Sequence, residues 1–149
     1  MNITKNNGFE FVDFIVVSEE EIYKFKPVAG SYAVIKCSGK YLICYNSWRK
    51  QWELPAGKRE ENETPKECAI RELYEETGQL LDDLKFLGLL KVKDLLKDKV
   101  KYNPIYFSTV ETVHPFQKNS ETTEIKLWDL KEPVGYIDEV DIKIFDFIK

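Results

Sequence analysis

The sequence predicts an α/β fold in which helices pack on both faces of a mixed β-sheet. The chain of 149 residues is long enough for one hydrophobic core and too short for two. Short β-rich apolar runs stand on both sides of one helical segment, and a second amphipathic segment closes the chain. Strands and helices in this order form layered sandwiches. We therefore expect a single domain over residues 1–149.

The predicted strands are short and are separated by turn residues. Ser38-Gly39-Lys40 lies between two β-rich runs and is a strong hairpin signal, so these two strands are expected near the centre of the sheet. Pro104 lies inside a later run and implies that its strand is at an edge or contains a bulge. In chain order, the predicted strands are residues 9–17, at an edge, then 31–37, 41–45, 51–54, 84–92, 102–110 and 123–129.

Two helices are predicted, and the first has clear signals at both ends. Thr64 can cap the free amides, Pro65 suits the first helical position, and Glu67 completes a capping box. Gly78 follows the last turn, where a left-handed residue commonly ends a helix. The second helix is expected over 136–148, which places four apolar residues near helical spacing: Ile137, Val140, Ile144 and Phe145.

Three carboxylates of the first helix oppose its stability. Glu72, Glu75 and Glu76 fall within a narrow arc, opposite the apolar side of the helix. Glu72 and Glu76 are like charges four residues apart, which costs roughly 0.2–0.5 kcal/mol. All three lie in the closing turns, where the helix dipole is already negative. The ordinary interpretation is that this acidic face is simply solvated. Arg71 can neutralise only part of the negative charge, however, and hard divalent cations prefer such oxygen ligands.

The spacing of these residues resembles the motif of the Nudix hydrolases, the MutT-like family. Gln79 stands at the last motif position, where the family usually has an apolar residue. The resemblance implies a Nudix-type α/β/α sandwich in which a loop-helix-loop motif, residues 57–79, presents the acidic face at one end of the sheet. The matching residues are Gly57, Glu63, Arg71, Glu72, Glu75, Glu76 and Gly78.

By the same resemblance, the motif residues have distinct roles. The carboxylates of Glu72, Glu75 and Glu76 would hold Mg²⁺ or Mn²⁺, and the backbone carbonyl of Ala56, beside Gly57, would join them. Hydrolysis of a pyrophosphate bond needs cations on the phosphate oxygens, an aimed water and a base.

Other residues would support or assist these ligands. Glu63 and Arg71 would orient the carboxylates, although a solvated Glu63 and an Arg71–Glu67 pair are the ordinary alternatives. Glu72, Glu76 and Arg71 are the catalytic candidates of the motif. The general base stays open between a motif glutamate and a distant one, Glu121 or Glu124, and Glu121 stands where some relatives place such a residue.

Substrate recognition is assigned to strand ends and loops near the motif, where an aromatic ring could stack on a base. Arg49 or Lys50 would have to reach the phosphates, because Tyr45-Asn46 stands where many relatives have an arginine. Each candidate also has an ordinary interpretation as a core or surface residue. The candidates are Trp48, Arg49, Tyr102, Asn103 and Tyr106.

Composition limits the partners. The net charge of −4 argues against a duplex nucleic-acid surface, which needs basic residues. No apolar run approaches the roughly 20 residues that span a bilayer, and residues 1–10 lack the build of a secretory signal. We expect a cytoplasmic protein that does not bind membranes. The three cysteines form no C-x-x-C pair, and neither a zinc site nor a disulfide framework is indicated.

These features favour a metal-dependent enzyme that cleaves a nucleoside diphosphate linked to another group. A nucleoside triphosphate is the favoured substrate, including an oxidised one such as 8-oxo-dGTP. Nucleotide sugars and dinucleotides are the alternatives, together with a Nudix module that senses a nucleotide without hydrolysis. A structural acidic helix without a ligand is the third hypothesis. The sequence leaves open whether the protein is a monomer or a homodimer.

Overall fold

The computed structural model of the chain describes residues 5–6 and 8–148, which form a mixed sheet with a helix against each face. Strands β3 and β8 pair in parallel, whereas the other paired strands are antiparallel. No helix among the described residues has the length and apolar character needed to cross a bilayer. The predicted α/β fold with a mixed sheet is confirmed.

The sheet has the strand order β1-β2-β7-β8-β3-β4-β5, with β6 paired to β3 and β9 paired to β4. A 3₁₀ helix over Glu19–Lys24 follows β2. The strands are β1 Lys5–Asn6, β2 Phe9–Ile15, β3 Ser31–Cys37, β4 Lys40–Asn46, β5 Gln51–Glu53, β6 Ala56–Gly57, β7 Lys85–Asp94, β8 Lys99–Val110 and β9 Thr122–Trp128; the helices are α1 Pro65–Thr77 and α2 Glu139–Ile148.

The alternation of side chains along the central strands divides the core into two layers. Val34 and Ile43 point into a cluster that contains Ile144 of α2. Ala33 and Leu42, one residue away in each strand, belong to a second cluster with Leu73 of α1. These layers lie on opposite faces of the sheet, as expected for an α/β/α sandwich.

Pro104 does not lie at a sheet edge. Strand β8 runs between β7 and β3, and Pro104 is paired with Leu89. Near this position the Asn103 side-chain amide donates to the carbonyl of Gly30 at 2.6 Å, which supplies a donor where proline has none. An irregularity in register lies in β7, between Phe86 and Gly88. The edge alternative was therefore wrong, whereas the bulge alternative is consistent with this irregularity in the β7–β8 pair.

Helix α2 begins at Glu139, three residues later than residue 136, where the sequence predicted it. Asp138 Oδ1 accepts hydrogen bonds from the amides of Val140 and Asp141 at 2.8 and 3.1 Å, so it caps the first turn. The preceding residues run beside β5: Trp52 N–H donates to Tyr136 O, and Asp138 N–H donates to Trp52 O. This pairing holds residues 136–138 outside the helix.

Candidate functional site

Helix α1 forms as its terminal signals predict. Thr64 Oγ1 accepts from the amide of Glu67 at 3.1 Å, and the Glu67 carboxylate accepts from the amide of Thr64 at 2.9 Å. Gly78 ends the helix with φ of 78° and donates its N–H to Tyr74 O. Ala69 and Leu73 anchor the opposite side of the helix in the core. The acidic side is thereby held rigidly beside the Ala56–Gly57 strand.

Arg71 is the centre of an acidic network. Its Nε donates to Glu63 at 2.7 Å, and its Nη1 donates to Glu72 at 2.6 Å and to Glu75 at 3.2 Å. Hydrogen bonds to Glu63 and Glu72 raise the pKa of the guanidinium, and the bond from Arg71 lowers the pKa of Glu63. The alternative pairing with Glu67 is not present, because Glu67 caps the helix. The guanidinium thus orients three carboxylates on one side of α1.

The Glu72 carboxylate packs directly against Gly57. A Cβ atom at position 57 would overlap that carboxylate, so only glycine leaves the space. Burial raises the pKa of Glu72, and the hydrogen bond from Arg71 partly offsets this rise. The motif glycine therefore has a steric reason: it lets a partly buried carboxylate lie against the backbone.

Glu76 is the most deeply buried carboxylate of the motif, with 8% of its surface exposed. Its Oε1 accepts the amide hydrogen of Ala56 at 2.7 Å. Burial raises the pKa of Glu76 to about 9; the Ala56 amide opposes this rise, and the charge of Glu72 adds to it. Burial and the neighbouring carboxylate thus both favour the neutral form of Glu76.

A second network of polar side chains lies beside the motif. It connects the end of β4, strand β5 and the residue just before β9. The Asn46 side-chain amide donates to Glu121 at 3.0 Å and to Glu53 at 3.3 Å, while Arg49 Nε donates to Glu53 at 2.6 Å. The charge of Glu121 raises the pKa values of both Glu72 and Glu76. Glu121 is therefore within electrostatic reach of the motif. The sequence did not single out Asn46 or Glu53, because neither belongs to a local pattern.

An open cleft of about 240 Å³ extends from Ala56 across the sheet to the first turn of α2. A smaller cleft continues past Gly57 and shares Tyr32, Ala56 and Lys101 with it. The first cleft is lined by apolar and polar side chains: Phe9, Tyr32, Arg49, Glu53, Leu54, Val92, Lys101, Asn103, Asp138, Val140 and Asp141. The two clefts thus border the acidic motif at Ala56 and Gly57.

Comparison with known proteins decides the family. The model of the NUDIX domain matches residues 24–147. The chain belongs to the Nudix family. YtkD of Bacillus subtilis (strain 168), whose name assigns it 8-oxo-dGTP diphosphatase activity, is 33% identical over 122 residues, covering 79% of this chain and 73% of that protein. The predicted Nudix hydrolase identity is therefore confirmed.

Other relatives agree with this assignment. Phosphatase NudJ of Escherichia coli (strain K12) is 28% identical over 113 residues, covering 74% of this chain and 72% of that protein. The crystal structure of a mutant of the Bacillus subtilis pyrophosphohydrolase BsRppH superposes with a TM-score of 0.71 at 25% identity, covering 98% of this chain and 92% of that one. The NUDIX domain of Shewanella oneidensis NrtR, complexed with ADP ribose, shares the fold with a TM-score of 0.66 at 16% identity, covering 89% of this chain and 96% of that one.

Nudix hydrolases generally use divalent metal ions. Among the described residues, no group of three or more His, Cys, Asp or Glu side chains is arranged as a complete set of metal ligands. The motif carboxylates bind Arg71 or the Ala56 amide instead. Their chemistry nevertheless fits a hard cation, because carboxylate oxygens are its preferred ligands and the charges of Glu72 and Glu121 both act on the buried Glu76.

The structure places only two of the five predicted substrate-binding residues at the cleft. Arg49 and Asn103 line the cleft. Trp48 is 65% exposed in the turn after β4, and Tyr102 packs against Phe25 with ring centroids 5.3 Å apart. Neither lines the cleft, so the geometry gives no support to their assignment. Tyr106 is fully buried and donates its hydroxyl to Glu19 at 2.7 Å, which makes it a core residue and corrects that prediction.

Gln79 replaces the usual apolar residue without disturbing the packing. Its Nε2 donates to Thr77 O at 3.0 Å and to His114 O at 2.9 Å, and its Oε1 accepts the amide hydrogen of His114 at 2.7 Å. The side chain is 3% exposed. Because each polar group finds a partner, glutamine ties the loop after β8 to the end of α1.

Lys101 was missed by the sequence interpretation. It lines both clefts near Gly57, and its Nζ lies 4.1 Å from the centroid of the Phe9 ring. Burial lowers the pKa of Lys101, while Asp94 raises it and Lys58 lowers it. A half-buried lysine in a strand of alternating lysines has no distinctive sequence pattern. Only strand pairing shows that this lysine faces the cleft.

Proposed function

We propose that this Nudix hydrolase cleaves nucleoside triphosphates, including oxidised ones such as 8-oxo-dGTP, in a metal-dependent reaction. The observation that carries the proposal is that the cleft reaching α2 borders the motif at Ala56. Ala56 lines this cleft, and its amide donates to the buried carboxylate of Glu76. A ligand in the cleft would therefore place its phosphates beside the motif.

Glu72, Glu75 and Glu76, with the Ala56 carbonyl, would hold Mg²⁺ or Mn²⁺. When bound, the metal supplies positive charge to the phosphate oxygens and lowers the pKa of a coordinated water. Arg71 holds Glu72 and Glu75 in place, and Glu63 fixes the guanidinium with two hydrogen bonds of 2.7 and 3.0 Å. Arg71 and Glu63 thereby act by orienting the ligands.

For the general base, Glu121 is favoured over Glu124. Glu121 acts electrostatically on Glu72 and Glu76, whereas Glu124 is exposed and borders a separate surface hollow with Tyr45 and Trp52. The Asn46 amide donates to Glu121 at 3.0 Å and the Arg49 guanidinium lies 3.9 Å away, so both hold this carboxylate in place. A motif glutamate is the alternative base.

The cationic side of the cleft suits a phosphate chain. Lys101 and Lys58 line the smaller cleft beside Gly57. Neither makes an ion pair within 4 Å in the described part of the chain, so both can meet an anion. Arg49 is held by Glu53 in a bidentate contact, which makes Lys101 the better candidate for binding the phosphates.

A panel of substrates tests this function. Purified protein is incubated with nucleoside triphosphates, 8-oxo-dGTP, ADP-ribose and a dinucleoside polyphosphate, each with Mg²⁺ or Mn²⁺, and the products are separated by chromatography. We expect monophosphate and pyrophosphate from the triphosphates with the highest kcat/KM. Preferential cleavage of ADP-ribose or the dinucleotide would instead support the alternative substrates.

Two variants test whether turnover depends on the motif carboxylates. E75Q/E76Q removes two proposed ligands and should lower kcat by about a thousandfold or more, because metal chemistry and orientation are lost together. E20Q, which changes an exposed glutamate of the 3₁₀ helix, is the matched control and should retain activity. Nucleotide binding without turnover of any compound at saturating metal would identify a sensing module and overturn the proposal.

A further inference from the structure

The loop between β8 and β9, residues 111–121, is fastened to the carboxy-terminal end of α1 at two points. At the first point, Gln79 Nε2 donates to His114 O at 2.9 Å, and Gln79 Oε1 accepts the amide hydrogen of His114 at 2.7 Å. At the second point, Asn119 Nδ2 donates to Glu75 O at 3.2 Å. We call these contacts the Gln79 clasp and the Asn119 clasp.

The Gln79 clasp depends on the amide group of the side chain. This side chain is 3% exposed and also donates to Thr77 O at 3.0 Å. An apolar residue of similar size would leave the N–H and C=O of His114 without these bonds, and backbone groups that lose their partners turn to water or cost stability. The loop lies close to the helix end here, because a Cβ atom at Gly78 would be 3.1 Å from Pro115 O.

The Asn119 clasp reaches the backbone of Glu121. Asn119 Oδ1 accepts the amide hydrogens of Glu121 and Thr122 at 2.9 and 2.8 Å, and the amide of Asn119 donates to Thr122 O at 2.8 Å. The acceptor of this side chain therefore shapes the turn before β9, while its donor ties that turn to Glu75 O in the last turn of α1.

Glu121 is thereby fixed relative to two elements. Ser47, which follows β4, donates its amide and its hydroxyl to Glu121 O at 2.8 and 3.1 Å, and the Asn46 amide binds the carboxylate. These contacts fix Glu121 relative to the sheet. The two clasps fix the same loop relative to α1, which carries the motif carboxylates. Because the charge of Glu121 acts on Glu72 and Glu76, a shift of the loop would change the surroundings of the motif.

We propose that Gln79 and Asn119 are positioning residues, which set the place of Glu121 relative to the motif carboxylates and so govern the rate of the chemical step. This inference rests on the proposed function, in which Glu121 takes a proton from the attacking water. A base acts only within hydrogen-bond reach of that proton, and a misplacement of about 1 Å can lower the rate about a hundredfold. The glutamine that departs from the usual motif thus has a catalytic consequence in this chain.

Steady-state kinetics of Q79M and N119D test the proposal. Methionine keeps the length of the side chain and loses both bonds to His114, whereas aspartate keeps the acceptor of Asn119 and loses its donor. With the panel compound of highest kcat/KM, each variant should lower kcat about ten- to a hundredfold and leave KM within about twofold. H114A is the matched control and should retain the wild-type kcat, because the clasp is made to the backbone of His114 and its side chain is exposed.

A double-mutant cycle shows whether the clasps act through Glu121. E121Q should itself lower kcat by about a hundredfold or more, and adding Q79M or N119D to E121Q should change kcat by no more than about twofold. A clasp that only stabilises the fold would lower kcat by the same factor in both backgrounds. Such additivity, a wild-type kcat in E121Q, or a wild-type kcat in either folded clasp variant would overturn the inference.

A measurement without substrate separates the inference from the proposed function. Backbone ¹⁵N relaxation should give Glu121 an order parameter of about 0.85 in the wild-type protein and in H114A, and below about 0.6 in Q79M and N119D. If one clasp variant does not fold, the other decides both experiments. A Glu121 that stays rigid in a folded clasp variant would overturn the inference, whatever the enzyme hydrolyses. Loss of order in a protein that cleaves no panel compound would retain the clasps as the anchors of Glu121 and reject the proposed function.

Discussion

Glu76 of α1 and Asp141 of α2 are two buried acids that approach the same segment from opposite faces of the sheet. Glu76 accepts the amide hydrogen of Ala56 at 2.7 Å, and Asp141 accepts that of Leu54 at 2.8 Å. Burial raises the pKa of both. Their remaining surroundings differ: the charges of Glu72 and Glu121 act on Glu76, whereas the charge of Asp138 and a hydrogen bond with Tyr32 act on Asp141. Two buried acids therefore differ in their neighbours: carboxylates surround Glu76, whereas hydrogen bonds from Leu54 and Tyr32 hold Asp141.

Truncating a core side chain of either helix should give the largest loss of stability. Leu73 of α1 and Ile144 of α2 are fully buried in the two core layers. L73A and I144A should each lower the free energy of unfolding by about 2–5 kcal/mol through lost burial and a residual cavity. Denaturant unfolding measures both, with exposed Ile142→Ala of α2 as the control. A small loss in either variant would show that its helix is weakly anchored.

Stabilisation by Mg²⁺ should depend on Glu76 and not on Asp141. Mg²⁺ at a hundred times its dissociation constant should stabilise the wild-type protein by about 2.7 kcal/mol, because it binds only the folded state. E76Q should abolish this gain, whereas D141N should retain it. Thermal unfolding with and without Mg²⁺ provides the measurement. An equal response of the two variants would contradict a metal site that depends on Glu76 and not on Asp141.

Gly57→Ala should lower activity with little effect on stability. The new methyl group would displace the Glu72 carboxylate from Arg71, and a flexible side-chain end can move at little cost to the fold. We expect kcat to fall by about ten- to a hundredfold, since misplaced groups lose orientation, with a nearly unchanged melting temperature. Ala56→Gly is the control, because its carbonyl and amide remain. Full activity of G57A would show that the position of Glu72 is unimportant.

The ionisation of Asp141 should appear in the pH dependence of stability. The raised pKa means that the folded state keeps a proton that the unfolded state releases above pH 3.8, so this residue destabilises the protein as pH rises. D141N lacks this penalty. Its unfolding free energy relative to wild type should therefore increase from pH 4 upward by at most about 1.4 kcal/mol per pH unit. A difference independent of pH would contradict a neutral Asp141 in the folded protein.

Much of α1 was predictable because its signals are local. Thr64, Glu67 and Gly78 act within a few residues of their own position, and the structure confirms these helix ends. The late start of α2 was missed because residues 136–138 pair with Trp52, which lies far away in sequence. The edge alternative for Pro104 was wrong for the same reason, since the Asn103–Gly30 bond spans 73 positions. The single domain over residues 1–149 and the site roles stay predictions.

The sequence by itself determined the Nudix motif, the capped helix that carries it and the α/β class, because these depend on spacing along the chain. Tertiary structure alone decided which other residues reach the cleft. Lys101 shares a cleft with Gly57 because β8 pairs with β3, and Asp141 reaches Leu54 because Ile137, just before α2, pairs with Trp52 of β5. Such contacts join residues that are distant in sequence, so only strand order and packing bring them together.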